Sequence, residues 1–131
     1  MRFSFDLDGV LWERPELFRP IISALVAAGH EYGVLAGFHH TEEHVAKIRE
    51  RLESLGYPEP SFVFGRTDGF YMDHNGAVHK SDKIHQLGVD LHFDDYDYDH
   101  PDTIRLFDEL GFEGKVARIR SAERREFSVK R

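Results

Sequence analysis

Apolar residues along the chain follow two alternating rhythms. Short apolar runs appear at Phe3-Ser4-Phe5, "EYGVLAG", "SFVFG", "DLHFDD" and "KVARI". Between them, apolar residues recur every three or four positions. Runs of the first kind fit buried strands, and spacing of the second kind fits one face of a helix. The first helical segment carries Ile21, Ile22, Leu25 and Val26, with Pro20 suited to its first turn and Gly29 to a left-handed cap. In the second, Thr41 is placed as the N-cap and Glu42 and Glu43 sit well for the helix dipole. Val45, Ile48, Leu52 and Leu55 continue it, and Gly56 stops it. A short helix is expected over about Ser81 to Leu87, ending at Gly88. Another opens at Pro101, carries Ile104, Phe107 and Leu110, and ends at Gly111. "FYMDHNGAVH" reads as a β-hairpin with Asn75-Gly76 in its turn.

Strands alternating with helices imply an α/β fold: one Rossmann-like, doubly wound parallel sheet of about five strands, with helices on both faces and the small hairpin as an addition. A chain of 131 residues suits a single domain, here expected over residues 1–120, followed by a basic tail at 121–131. In such sheets ligands bind beyond the carboxyl ends of the strands. Two strands leave the core in carboxylates there: "FSF" runs into Asp6 and Asp8, and "LHF" into Asp94 and Asp95. A hydrophobic core alone does not require acidic exits. The two would converge if their strands are neighbours. With no cysteine in the chain, thiolate nucleophiles, disulfides and Cys-based zinc sites are excluded.

These residues resemble a known family. "FSFDLDGVLW" is similar to the first motif of haloacid dehalogenase-like phosphatases, an apolar strand followed by Asp-x-Asp-Gly. "LHFDDYDYD" resembles their last, acidic motif, and Lys80 stands where the family places its lysine, before a short helix leading to the acidic strand. The resemblance covers about residues 1 to 120. It implies Asp6 as nucleophile and Asp8 as acid/base in phosphate monoester hydrolysis through an aspartyl-phosphate. It also implies Mg²⁺ as cofactor, held by Asp6, the Asp8 backbone carbonyl and Asp95, alone or with Asp94, with Asp99 supporting them. Lys80 would hold Asp6 and the phosphate together. The chemistry is consistent on its own terms. A carboxylate cannot approach an anionic phosphate until charge is neutralised, and a hard cation with oxygen ligands does this. The aspartate at position 8, absent from relatives that cleave carbon–halogen bonds, favours phosphate esters.

Several alternatives stand beside this reading, first among them a non-catalytic phosphate-binding or interaction module on the same fold. A calcium loop needs more oxygen ligands than Val10 and Leu11 provide. Lys83, one turn beyond Lys80, is a second candidate lysine. The family places Thr or Ser at the end of its second strand to hydrogen-bond the phosphate, and here that position is Ala36. Losing one preorganised donor lowers rates by roughly 10²–10³. The Gly37 amide is the expected phosphate-binding substitute, with Thr41 or a nearby His as others. "HTEEH", His40 to His44, matches a zinc-protease pattern, yet its middle is already explained as an ordinary helix start. The remaining histidines show no ligand spacing and read as surface residues.

Only one helix fits between Asp8 and the second strand, and only the hairpin between "SFVFG" and Lys80, so no cap domain is expected. An open site suits a phosphorylated small molecule or a nucleic-acid end, or a cap supplied by a second subunit in a homo-oligomer. The charge is lopsided. Residues 115–131 hold seven Lys/Arg against Glu123 and Glu126, a net +5, which leaves −12 for residues 1–114 of the total −7. This tail is either a solvated end or a basic lip for an anion. No apolar run spans a bilayer and no signal-peptide order opens the chain, so a cytoplasmic protein without membrane partners is expected.

Overall fold

A computed structural model describes residues 1–67, 77–95 and 116–118. Its strands are β1 (Arg2–Phe5), β2 (Glu31–His39), β3 (Phe62–Arg66), β4 (Leu91–Asp94) and β5 (Val116–Arg118). All pairings are parallel, in the order β3-β2-β1-β4-β5. The helices are α1 (Pro15–Ala27), α2 (Glu42–Ser54) and α3 (Ala77–Leu87). The parallel α/β architecture is therefore the expected one. From β1 the chain winds outward through β2 to β3, then returns past β1 to β4. Phe18 and Ile22 of α1 and Leu52 of α2 pack on the Phe3–Phe5 face, while Lys80 of α3 meets Asp94 on the other, as right-handed crossovers require. The reversal lies between β1 and β4, which makes that crevice the switch point where such sheets bind ligands.

The two faces of β1 differ. Phe3 and Phe5 join the main core with Val34, Leu52 and, from α1, Phe18 and Ile22. Phe5 meets Phe18 edge-to-face at 6.0 Å and stacks on Phe93 of β4 at 4.6 Å, its register partner. That aromatic pair clamps the two central strands one residue before their acidic ends. Ser4, alternating to the other face, is fully buried and polar.

Three expectations change. α1 begins at Pro15, so Pro20 lies inside the helix rather than in its first turn. Its buried face is Phe18 and Ile22, while Ile21 and Val26 stay exposed. Starting the helix a turn earlier rotates the apolar stripe onto the Phe18 side. α3 begins at Ala77, so 77–79, expected as the second arm of the hairpin, form a helical turn and Lys80 lies within the helix. β2 continues to His39, so Ala36 is inside the strand. The rest of the hairpin, the Pro101 helix and the 121–131 tail lie outside the described residues. No described helix is long and apolar enough to cross a membrane.

The loop after α2 is fastened to the site-bearing turn by Tyr57, whose hydroxyl donates to the buried Leu11 carbonyl at 2.7 Å. Burial pushes the Tyr57 phenol up to about 12, with the Glu16 charge adding to the rise. Tyr57→Phe strands that carbonyl and is expected to destabilise by about 1–3 kcal/mol at pH 8 in urea unfolding. The raised value means the neutral phenol contributes its stability fully below pH 10, and that contribution disappears as pH rises towards 12. The gap between wild type and Tyr57→Phe should therefore narrow over that range.

Candidate active site

At the end of β1 the chain turns through a wide turn, Leu7–Leu11, closed by bonds from Leu11 N to Asp6 O at 3.4 Å and Trp12 N to Leu7 O at 3.0 Å. Two residues break its helical geometry: Asp8 is extended, and Gly9 has φ 77°. Glycine is required there twice over. The positive φ disfavours a side chain, and a Cβ would stand 1.7 Å from Asp95 Oδ2. The turn thus presses its backbone against the end of β4.

Asp6, Asp94 and Asp95 each offer an oxygen within 4.8 Å of the others, and all three are buried. Parallel pairing sets this up: the Asp6 amide donates to the Phe93 carbonyl at 2.9 Å, the rung just beyond Phe5↔Phe93. Lys80 enters from α3, 2% exposed, with Nζ 2.7 Å from Asp94 Oδ2 and 3.5 Å from Asp6 Oδ2. Of the two candidate lysines, Lys80 is the one brought to the carboxylates. Lys83 is half-buried, lies over the Phe64 ring and donates to Gln86. Asp8 is exposed and its side chain is outside the cluster.

His92 was missed by sequence reasoning. It is fully buried on β4, with Nε2 2.8 Å from Asp94 Oδ2 and Nδ1 2.7 Å from Ser4 Oγ. The signal was alternation: His92 and Asp94 are two apart on a strand, so they share a face. Burial lowers the His92 pKa despite the Asp94 bond, so the ring is neutral. Its Nε2–H then donates to the Asp94 carboxylate, and Nδ1 accepts from the Ser4 hydroxyl. Serine, histidine and aspartate in this order look like a nucleophilic triad, but Ser4 is sealed beneath the sheet end and orients the histidine instead.

Charge in the cluster is divided unequally. Burial opposes ionisation of Asp94, but the Lys80 ammonium and the His92 bond outweigh it and hold that carboxyl well below the usual range. Burial works against the charged form of Lys80 too, yet Asp6 and Asp94 keep its proton above the usual lysine range. Asp6 goes the other way: burial and the Asp94 charge raise it well above 3.8, more than Lys80 lowers it. The donors are all oxygen, and Asp94 Oδ1 is buried with no hydrogen-bond partner among the described residues. That set fits a hard divalent cation, which Asp6, Asp94 and Asp95 would hold.

The other sequence candidates divide. Ala36 is buried in the core cluster, and the Gly37 carbonyl accepts from Arg66 Nε at 3.1 Å. The Thr41 hydroxyl is occupied as the α2 cap, accepting from His44 N at 3.1 Å. His40 precedes α2 and its Nδ1 accepts from Gly65 N, so the two histidines of "HTEEH" do not sit one turn apart on a helix. Asp99 lies outside the described residues.

Two outcomes are expected. Because the Asp6 pKa is raised, the metal-free fold is most stable below pH 3.8 with respect to this group and loses that stability as pH rises through the raised value. Asp6→Asn should therefore melt higher than wild type at pH 7 in chelator, with the difference vanishing in acid. His92→Leu removes a donor from Asp94 and a partner from Ser4, for a loss of about 1–3 kcal/mol. Adding Ser4→Ala should recover part of it, a non-additivity readable in urea unfolding.

No family model, no curated protein and no solved structure matches this chain.

Proposed function

We propose that this chain is a Mg²⁺-dependent phosphate monoester hydrolase of the haloacid dehalogenase-like type, with Asp6 as nucleophile. The observation carrying this reading is the placement of Lys80 Nζ against both Asp6 and Asp94, inside a three-carboxylate cluster at the switch point of a parallel sheet. A buried cluster of this kind is unfavourable as pure structure, because like charges are held together away from water.

The chain's own residues would act as follows. Lys80 offsets the charge of Asp6 and of the incoming phosphoryl group. An Asp6 oxygen attacks phosphorus, and the bond from phosphorus to the leaving oxygen breaks. Asp8, solvent-exposed on the turn and able to exchange protons, gives one to that oxygen. Water then attacks the aspartyl-phosphate, Asp8 takes its proton, and Asp6 is released with inorganic phosphate. Mg²⁺ bound by Asp6, Asp94 and Asp95 would supply charge neutralisation for the phosphoryl oxygens. His92 and Ser4 hold Asp94 in one rotamer. Ala36 has no side-chain donor for the phosphate, which suits a slower enzyme. With only α1 between the turn and β2, the substrate would be a phosphorylated small molecule or a nucleic-acid end, with a cap supplied by a second copy as the other arrangement.

The test is release of inorganic phosphate from a generic aryl phosphate, with and without Mg²⁺. Turnover should require the metal, and folded Asp6→Asn should lose it by at least about 10³-fold. Beryllofluoride with Mg²⁺ should raise the melting temperature of wild type and not of Asp6→Asn. Full activity in Asp6→Asn, or metal-independent turnover, would remove the assignment.

A further inference from the structure

Beside Asp8 the surface opens into a groove of about 270 Å³ between the β1 turn and α2. Its walls combine two aromatic rings, Trp12 and Phe38, with two cations, Lys47 and Arg51. Among the described residues, Asp8 is the one carboxylate lining it. On a chain of net charge −7, a groove with this balance is set apart from its surroundings.

The groups in the groove are prepared for a ligand. The Arg51 guanidinium lies 4.2 Å over the Trp12 ring and makes no ion pair among the described residues. A guanidinium flattened on an aromatic ring offers its outer plane as a stacking surface and keeps its charge. Lys47 pairs with Glu43 at 3.1 Å, but both ends are largely exposed, so the pair is weak and exchangeable. His44, also on the wall, has Nδ1 2.9 Å from the His39 carbonyl. A carbonyl only accepts, so Nδ1 carries the hydrogen and Nε2 is left as an acceptor. The volume is just under the ~300 Å³ of small-molecule sites, which suits one ring system rather than a whole ligand.

Resting on the hydrolase reading, we infer that this groove is the leaving-group subsite. It would select phosphate monoesters whose leaving group carries a planar ring and a second negative charge, as in a nucleoside bisphosphate. The position supports this: the group protonating the leaving oxygen must stand beside it, and Asp8 forms the groove's edge. The ring would stack on the Arg51–Trp12 pair and the second anion would meet Lys47. In this arrangement α2 supplies the selectivity.

Trp12 is the chain's one tryptophan, so its emission reports this groove. The measurement is ligand binding to Asp6→Asn in Mg²⁺, by calorimetry and Trp12 fluorescence. Adenosine 3′,5′-bisphosphate should bind at least about five-fold more tightly than adenosine 5′-monophosphate, which lacks the second phosphate, and than 3-phosphoglycerate, which lacks the ring. Only the adenosine ligands should perturb Trp12. Arg51→Met should erase the ring's advantage and Lys47→Met that of the second anion; both sites are exposed on α2, so folding should persist. Equal binding of the three ligands, or preferences that survive both substitutions, overturns the subsite. Hydrolysis without any ring or anion preference would sink the subsite and leave the hydrolase standing. The expected binding pattern in a chain that hydrolyses no phosphate ester would sink the hydrolase and its leaving-group role, and leave the groove as a binding site for a ring with a second anion.

Discussion

One buried ammonium makes the centre of this molecule possible. Three carboxylates crowd the ends of β1 and β4, and Lys80 is the cation that reaches two of them. At an effective dielectric of about 20, unit charges 4 Å apart interact by roughly 4 kcal/mol, comparable to a good part of a domain's stability. Without Lys80, the sheet could not keep Asp94 ionised beside Asp6. Even with it, the cluster carries more negative charge than it balances, and the imbalance settles on Asp6 as a raised pKa. The same imbalance that weakens the metal-free fold would strengthen the grip on a cation.

Everything near this cluster can be read as holding it still. The Phe5–Phe93 stack fixes the strands laterally. The Asp6 amide bond to Phe93 fixes their register. Ser4 and His92 brace Asp94 from beneath, and Gly9 lets the turn close on Asp95 without a side chain between them. Each device lies on an element whose placement follows from parallel pairing at the switch point. A one-residue slip between β1 and β4 would turn Asp6 to the apolar face and break all of them together.

The parts of the site legible in the sequence were those written in local order. Apolar runs that end in aspartate mark strands with acidic exits, so Asp6, Asp94 and Asp95 could be named, and Lys80 by its position before the acidic strand. The positive-φ glycines at 29, 56 and 88 ended helices where expected, since few other residues adopt that backbone. What stayed hidden depended on packing. The start of α1 turned on Phe18 meeting Phe5, which no helical spacing announces. The helical state of 77–79 went against an Asn-Gly turn signal close by, because Lys80 must stand within a helix to reach Asp94. His92 looked like one of nine unremarkable histidines until alternation on β4 paired it with Asp94.

The groove beside Asp8 was hidden for a further reason. Trp12 and Arg51 are far apart in sequence and meet only because β1 and β2 are neighbours, with α2 following β2 back across the same face. A winding that brings two acidic strand ends together at the switch point also brings the turn after β1 alongside α2. The acidic cluster at the sheet end and the groove on the adjoining helix are then two results of one topology. A substitution on the outer face of α2 would leave Asp6 in place, because the clustered carboxylates hang from β1 and β4 while α2 packs against β3. On this sheet, the residues that would break a phosphate ester and those that would choose it lie on separate elements, which leaves the second set free to vary while the first is held by charge.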